Sequence, residues 1–188
     1  MIIALSGSQG SGKTTLLEEF ANRGYNVIER KTSRSVLQDW GMSLQEVYDD
    51  HKLMMAFQDE IYDRKLADEQ EVLLSNELWL TDRSHIDILG YTVMVLGSDI
   101  RYGDWLQAYH DKCIMTEYFY HHRIYVPRLN ISVVHDGCRS ICPVYGNAID
   151  NVMRGFHLSV LPAKLTELTT TNLTERIIEI KDLIEEIS

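Results

Sequence analysis

The chain has 188 residues, 45% of them hydrophobic, and a formal net charge of −10. That size and apolar share suit one domain with its own core, and the longest apolar runs fall far short of the roughly 20 residues of a membrane-spanning helix. So acidic a chain is poorly matched to a broad, nonspecific footprint on nucleic acid or on an anionic membrane, although a local basic site stays compatible with it.

Ile2 to Leu5 is a short apolar run ending at Ser6 and Gly7, which reads as a buried strand. No basic segment or cleavage site marks it as a signal peptide, so a cytoplasmic location is expected. Gly7-Ser8-Gln9-Gly10-Ser11-Gly12-Lys13-Thr14 then fits G-x-x-x-x-G-K-[ST] at every fixed position. The context also fits, because a helix follows over Lys13 to Asn22, with Leu16, Leu17 and Phe20 at helical spacing and Arg23-Gly24 as its stop. Gly7, Gly10 and Gly12 permit backbone geometries and close approaches that a Cβ would block. Successive N–H groups and the positive helix end then suit the phosphates of a nucleoside triphosphate. This assigns Gly7, Ser8, Gln9, Gly10, Ser11, Gly12, Lys13, Thr14 and Thr15 to ATP. Lys13 places a point charge on the β- and γ-phosphates, the Thr14 hydroxyl ligates Mg²⁺ and Thr15 bonds an α-phosphate.

Tyr25 to Glu29 is the second expected strand. Arg30, Lys31 and Arg34 follow it as a basic cluster, with Ser33 placed to cap the helix that Arg34 leads. A long helical region covers about Ser43 to Ser75, with breaks allowed, its inner face formed by Val47, Met54, Phe57, Ile61 and Leu66. Gln58, Asp59 and Asp63 lie on it as candidates for reading a base edge, against the plainer reading of a solvated face. Glu77 to Thr81 is the third strand. Ile86 to Leu96 and Trp105 to Phe119 read as helices, and Trp40, Trp79 and Trp105 as packing residues. Arg123 to Pro127 is the fourth strand, Val144 to Met153 a helix, and His157 to Leu161 the fifth strand. Thr174 to Ile187 closes the chain as an amphipathic helix, with Leu173 at N′ and Thr174 as N-cap. Strands alternating with helices predict an α/β domain of three layers, with about five parallel strands flanked by helices. In such sheets ligands sit outside the carboxyl ends of the strands, so Gly7, Glu29, Asp82 and Pro127 should surround one site.

Leu78-Trp79-Leu80-Thr81-Asp82 has the form of a strand that delivers an aspartate beside the phosphate loop. Asp82 can organise the Mg²⁺ shell or accept the proton of an attacking hydroxyl. The next residue is Arg83, a cation that cannot act as a base toward water. It can instead hold a substrate or balance charge during transfer. This favours transfer to an acceptor over hydrolysis.

Cys113, Cys138 and Cys142 are an odd number and do not suggest a disulfide framework. Cys138 and Cys142, with His121, His122 and His135, have a spacing compatible with zinc. No second close pair completes four ligands, so the thiols are read as buried or as part of a loop.

Gly7 to Thr15 together with Asp82-Arg83-Ser84 resembles the P-loop nucleoside and nucleotide kinases. Asp87 and Tyr91 on the following helix are similar to the pattern of small ATPases related to ribosylnicotinamide kinase. The resemblance runs from Met1 to about Arg176 and implies a single P-loop kinase domain over 1–188 that uses ATP and Mg²⁺. It implies that Glu29, Arg30 and Arg34 receive the acceptor, at a longer spacing than the family's pattern. Asp136-Gly137-Cys138-Arg139 matches a later family motif, which implies a lid-like segment at about 135–145 and a charge-balancing role for Arg139 beside Lys13, Asp82 and Arg83. The expected acceptor is a nucleoside or nucleotide, with a deoxynucleoside monophosphate preferred because an arginine fork suits a phosphate. Two alternatives remain: a kinase acting on a hydroxymethylated base in phage DNA, and a nucleotide-dependent ATPase or regulator without a small acceptor. The sequence leaves homodimer formation undecided.

Overall fold

A computed structural model of the protein describes residues 1–28, 33–128 and 142–187. Five parallel strands form one sheet in the order β2-β3-β1-β4-β5: β1 (Ile2–Ser6), β2 (Asn26–Ile28), β3 (Trp79–Asp82), β4 (His122–Tyr125) and β5 (Leu165–Glu167). β1 is central, and all five of its residues are buried. Its alternation feeds both faces. Ile3 and Leu5 meet Leu16, Leu17 and Phe20 of α1 (Lys13–Asn22) and Ile177, Ile180 and Ile184 of α8 (Leu173–Ile187). Ile2 and Ala4 pack with Ile28 and Tyr120 on the other side. A strand buried on both faces reads as an unbroken apolar run, which is why Ile2 to Leu5 was legible.

The second layer holds α2 (Ser33–Trp40), α3 (Leu44–Asp49), α4 (His51–Leu73), α5 (His85–Leu96), α6 (Gly103–Thr116) and α7 (Pro143–Ser159). Val47, Met54, Phe57 and Ile61 are buried in its core as the periodicity predicts, and Leu66 packs partly buried against it. The expected break in the long helical region falls at Asp50, whose carboxylate accepts from Lys52 N and Leu53 N at 2.8 and 3.2 Å and so starts α4. Behind β3, Lys65 Nζ donates to Glu69 at 2.5 Å and to Thr81 Oγ1 at 3.2 Å. Tyr120 OH donates to the same carboxylate at 2.9 Å. This buried network fixes α4 against the strand that carries Asp82.

Two sequence expectations fail here. His157 to Leu161 is not a strand: α7 continues to Ser159, and β5 lies later, at Leu165–Glu167. The helix ends where Leu161 adopts φ 46°, a turn that exposes the Val160 and Leu161 carbonyls to the buried Arg123 guanidinium. Thr174 is not the cap of α8. Asn172 Oδ1 accepts from Thr174 N and Glu175 N at 2.9 and 3.2 Å, which places the cap two residues earlier.

Candidate active site

Parallel pairing sets Leu5 opposite Asp82 and Ser6 opposite Tyr125, so the loop after β1 emerges between the ends of β3 and β4. Gly7, Gly10 and Gly12 all have positive φ. At Gly7, φ is 127°, and a Cβ would meet the Val126 carbonyl oxygen at 2.6 Å. Gly7→Ala should therefore lower the melting temperature through strain of about 1–3 kcal/mol and weaken nucleotide binding. Wild-type melting and wild-type ATP affinity in that variant would contradict the geometry.

Lys13 folds back over the loop, its Nζ donating to Ser8 O and to Ser11 Oγ, each at 2.7 Å. Thr14 and Thr15 are exposed toward a cleft of about 1410 Å³ that Gln9 to Thr15 line. Asp82 and Arg83 line the same cleft. The donor set suits a magnesium triphosphate: a glycine loop admitting no side chain, a lysine, a hydroxyl and a neighbouring carboxylate. Thr14 and Asp82 are the residues that would hold the metal.

Two of the loop's first amides donate to side chains of α5. Gly7 N donates to Asp87 Oδ1 at 3.0 Å, and Gln9 N donates to Tyr91 OH at 3.1 Å. Ser8 Oγ donates to Asp150 Oδ1 at 2.6 Å. Side chains of α5 and α7 thus hold the start of the loop, and Gln9 to Thr15 line the cleft. The carbonyl of Ser11 is held by Arg176 of α8, 2.6 Å away, and Arg176 also donates to Pro127 O at 3.1 Å.

Arg83 is a non-glycine residue in the left-handed region, with φ 72°. Such a conformation costs about 1–3 kcal/mol and persists where surroundings impose it. It turns the side chain back over the loop, 3.4 Å from Gly7 O and with the guanidinium 4.8 Å from the centre of the Tyr91 ring. Burial works against its charge, but Tyr91, Asp82 and Asp87 outweigh burial and hold its pKa above the usual arginine value.

The same cleft is lined by Tyr48, Phe57, Gln58, Ile61, Met94 and Tyr145, which make up an aromatic chamber, and by Arg34 of α2. Burial raises the pKa of both Tyr48 and Tyr145, so both phenols stay neutral. Of the three helix residues considered for base reading, only Gln58 lines the chamber. Asp59 is instead paired with Lys112 and accepts from Trp105 Nε1 at 3.1 Å, and Asp63 is exposed. Glu29, Arg30, Lys31, His135, Cys138 and Arg139 lie outside the described residues. Among the described residues no His, Cys, Asp and Glu cluster could hold a metal by itself.

Beneath the loop, Glu117 and Arg123 form a buried pair at 3.4 Å. Burial pushes the Glu117 carboxyl up to about 6, against the pull of Arg123. A folded pKa above the unfolded value of 4.5 means that this stability is complete below pH 4.5 and is lost as pH rises through about 6. The change amounts to about 2 kcal/mol. Asp87 runs the other way: although burial opposes its charge, His157 and Arg83 hold it well below 3.8, so its contribution is present at neutral pH and lost only in stronger acid. The urea midpoint should therefore be higher at pH 5 than at pH 7, and Glu117→Gln should shrink that difference. An undiminished difference in the variant would exclude Glu117 as its source.

The family model described as an AAA domain matches residues 2–176. The chain belongs to that family. No curated protein sequence matches this AAA domain significantly. Among solved structures, deoxyadenosine kinase from M. mycoides with bound dATP superposes with a TM-score of 0.69 at 14% identity, covering 98% of this chain and 100% of that one. Thymidylate kinase from Ehrlichia chaffeensis gives 0.63 at 15% identity, covering 98% of each chain. The NadR protein in complex with NAD and AMP-PNP gives 0.70 at 16% identity, covering 96% of this chain but 48% of that one, so this AAA domain spans about half of NadR. At these identities the likeness is one of fold, and the fold is that of the P-loop nucleoside and nucleotide kinases.

Proposed function

We propose that the protein transfers the γ-phosphoryl group of ATP to a nucleoside- or nucleotide-like acceptor, with a deoxynucleoside monophosphate preferred. The observation that carries this reading is that one cleft is lined both by Lys13, Thr14, Asp82 and Arg83 and by the aromatic chamber residues and Arg34. A nucleotide base suits that chamber, where Phe57 and Tyr48 offer apolar faces and Gln58 an amide. Deoxyadenosine kinase, which shares the fold, carries dATP and dCTP in its own structures, in keeping with a deoxynucleoside ligand here.

In the reaction, an acceptor oxygen forms a bond to the γ-phosphorus, and the bond from that phosphorus to the β–γ bridging oxygen breaks to release ADP. Lys13 and Arg83 balance charge on the group in flight. Asp82 takes the proton when the acceptor is a hydroxyl. A monophosphate acceptor is already anionic, and Asp82 then serves, with Thr14, to hold the metal. Mg²⁺, when bound, neutralises the β- and γ-oxygens. Arg34 presents a planar fork to the acceptor's phosphate, and Arg139 is assigned the charge-balancing role that the family motif implies.

Incubation of labelled ATP with a panel of nucleosides, nucleoside monophosphates and hydroxymethylated duplex DNA tests this directly. Label should move to a deoxynucleoside monophosphate. ATP turnover that is equal with and without every acceptor would replace this reading with an ATPase. Arg34→Ala should raise the acceptor KM about 10- to 100-fold, the worth of a charge-assisted hydrogen bond. The ATP KM should stay within about two-fold, since Arg34 lies on the acceptor side. Equal increases in both constants would reject its assignment.

A further inference from the structure

His157 belongs to the segment misread as a strand, and no candidate role was attached to it. In the structure it is fully buried in the last turns of α7, between two charged groups. Its Nδ1 lies 3.2 Å from Arg123 Nη1, and its Nε2 lies 3.1 Å from Asp87 Oδ1. A guanidinium only donates, so Nδ1 accepts and the ring proton sits on Nε2, donated to Asp87. That same oxygen, Oδ1, accepts the amide of Gly7, the first residue of the phosphate loop. The other oxygen, Oδ2, accepts Ser84 N at 3.1 Å, and Glu117 Oε1 accepts Ile86 N at 2.9 Å. The Gly7 amide, Asp87, His157, Arg123 and Glu117 thus form one buried chain that leaves the loop and returns to the first turn of α5.

We infer that His157 is a positioning residue for the phosphate loop, acting on the Gly7 peptide through Asp87. This inference rests on the reading of the loop as an ATP site. The Asp87 carboxylate lies beneath a loop proposed to take a triphosphate, so its lone pairs must be directed into hydrogen bonds. The His157 N–H fixes Oδ1, and Oδ1 fixes the plane of the Gly7 amide. The Ser8 side chain is held from the same helix, through Asp150, whose own carbonyl accepts from Tyr125 OH at 3.0 Å. α7 therefore sets where the first turn of the loop sits, and the donors after Gln9 inherit that position.

Two substitutions separate this role from simple satisfaction of Arg123. Glutamine can place its amide N–H where Nε2 stands and reach Asp87. Asparagine, being shorter, can place an oxygen near Arg123 but leaves Asp87 without its donor. We expect His157→Gln to bind ATP·Mg²⁺ within about three-fold of wild type and His157→Asn to bind about ten-fold or more weakly, because small misplacements of binding groups are costly. Acceptor KM should be unmoved in both. Equal ATP affinities by calorimetry, or tighter binding by the asparagine variant, would overturn the inference. Should neither variant fold, ¹⁵N spectra of the unaltered protein decide: the His157 ring should show the Nε2–H tautomer, and its signals should shift on saturation with ATP·Mg²⁺. Signals that stay fixed would equally overturn it. Wild-type protein that binds ATP yet phosphorylates no acceptor would defeat the kinase reading and leave this inference standing.

Discussion

Replacing Lys13 by alanine should reduce phosphoryl transfer by about 10²–10³-fold or more while the protein stays folded. The ammonium group makes two hydrogen bonds, to Ser8 O and Ser11 Oγ, both inside the loop. Lys13 lies at the first residue of α1, outside the strand pairings, so far-UV circular dichroism should be unchanged. The large effect falls on the reaction, where the lysine is the only loop side chain with a full positive charge. Charge that develops on the transferred group in a site closed to water is worth far more than the same contact in solvent. Single-turnover rates with ATP and the best acceptor are the measurement. A variant that keeps the wild-type rate would remove the proposed mechanism.

Asp82→Asn should have an effect of comparable size, lowering kcat by about 10²–10⁴-fold with little change in ATP affinity. Asparagine keeps the shape and half the acceptor capacity of the carboxylate and loses its charge. With a deoxynucleoside monophosphate as acceptor, no proton has to be removed, and the lost function is metal positioning. Raising the Mg²⁺ concentration should then restore part of the rate. With a hydroxyl acceptor the lost function is that of a base, and added Mg²⁺ should not help. The same variant therefore reports on the acceptor's chemistry as well as on Asp82. A kcat unchanged from wild type would exclude Asp82 from both roles.

The parts of the fold that were legible in the sequence are those where one local pattern decides the structure. β1, the phosphate loop and α1 follow from an apolar run, three glycines and a helical repeat within 22 residues, and α1 spans Lys13–Asn22 as expected. α7 and β5 were misread because His-Leu-Ser-Val-Leu alternates like a strand. The deciding pattern is longer: Gly146, Ile149, Met153 and His157 are the buried residues of α7 and recur at helical spacing. β5 has three residues, all only partly buried at a sheet edge, so it carries little signal of its own. The chamber was hidden for another reason. Phe57 and Ile61 look like ordinary inner-face residues of a helix. Only the packing of α3, α4, α5 and α7 shows that they line a cleft with Tyr48, Met94 and Tyr145. Tyr91 was noticed only through a family pattern, and its bond to the Gln9 amide belongs to the fold rather than to any motif.

Arg176 has a consequence for how the molecule is assembled during synthesis. The carbonyl of Ser11 waits for a guanidinium that lies 165 positions later in the chain. The innermost strand likewise needs β3 and β4 before its two edges are filled. The loop that begins the site is thus completed by a residue made 165 positions later, and the ability to hold a nucleotide should appear only after α8 has been released.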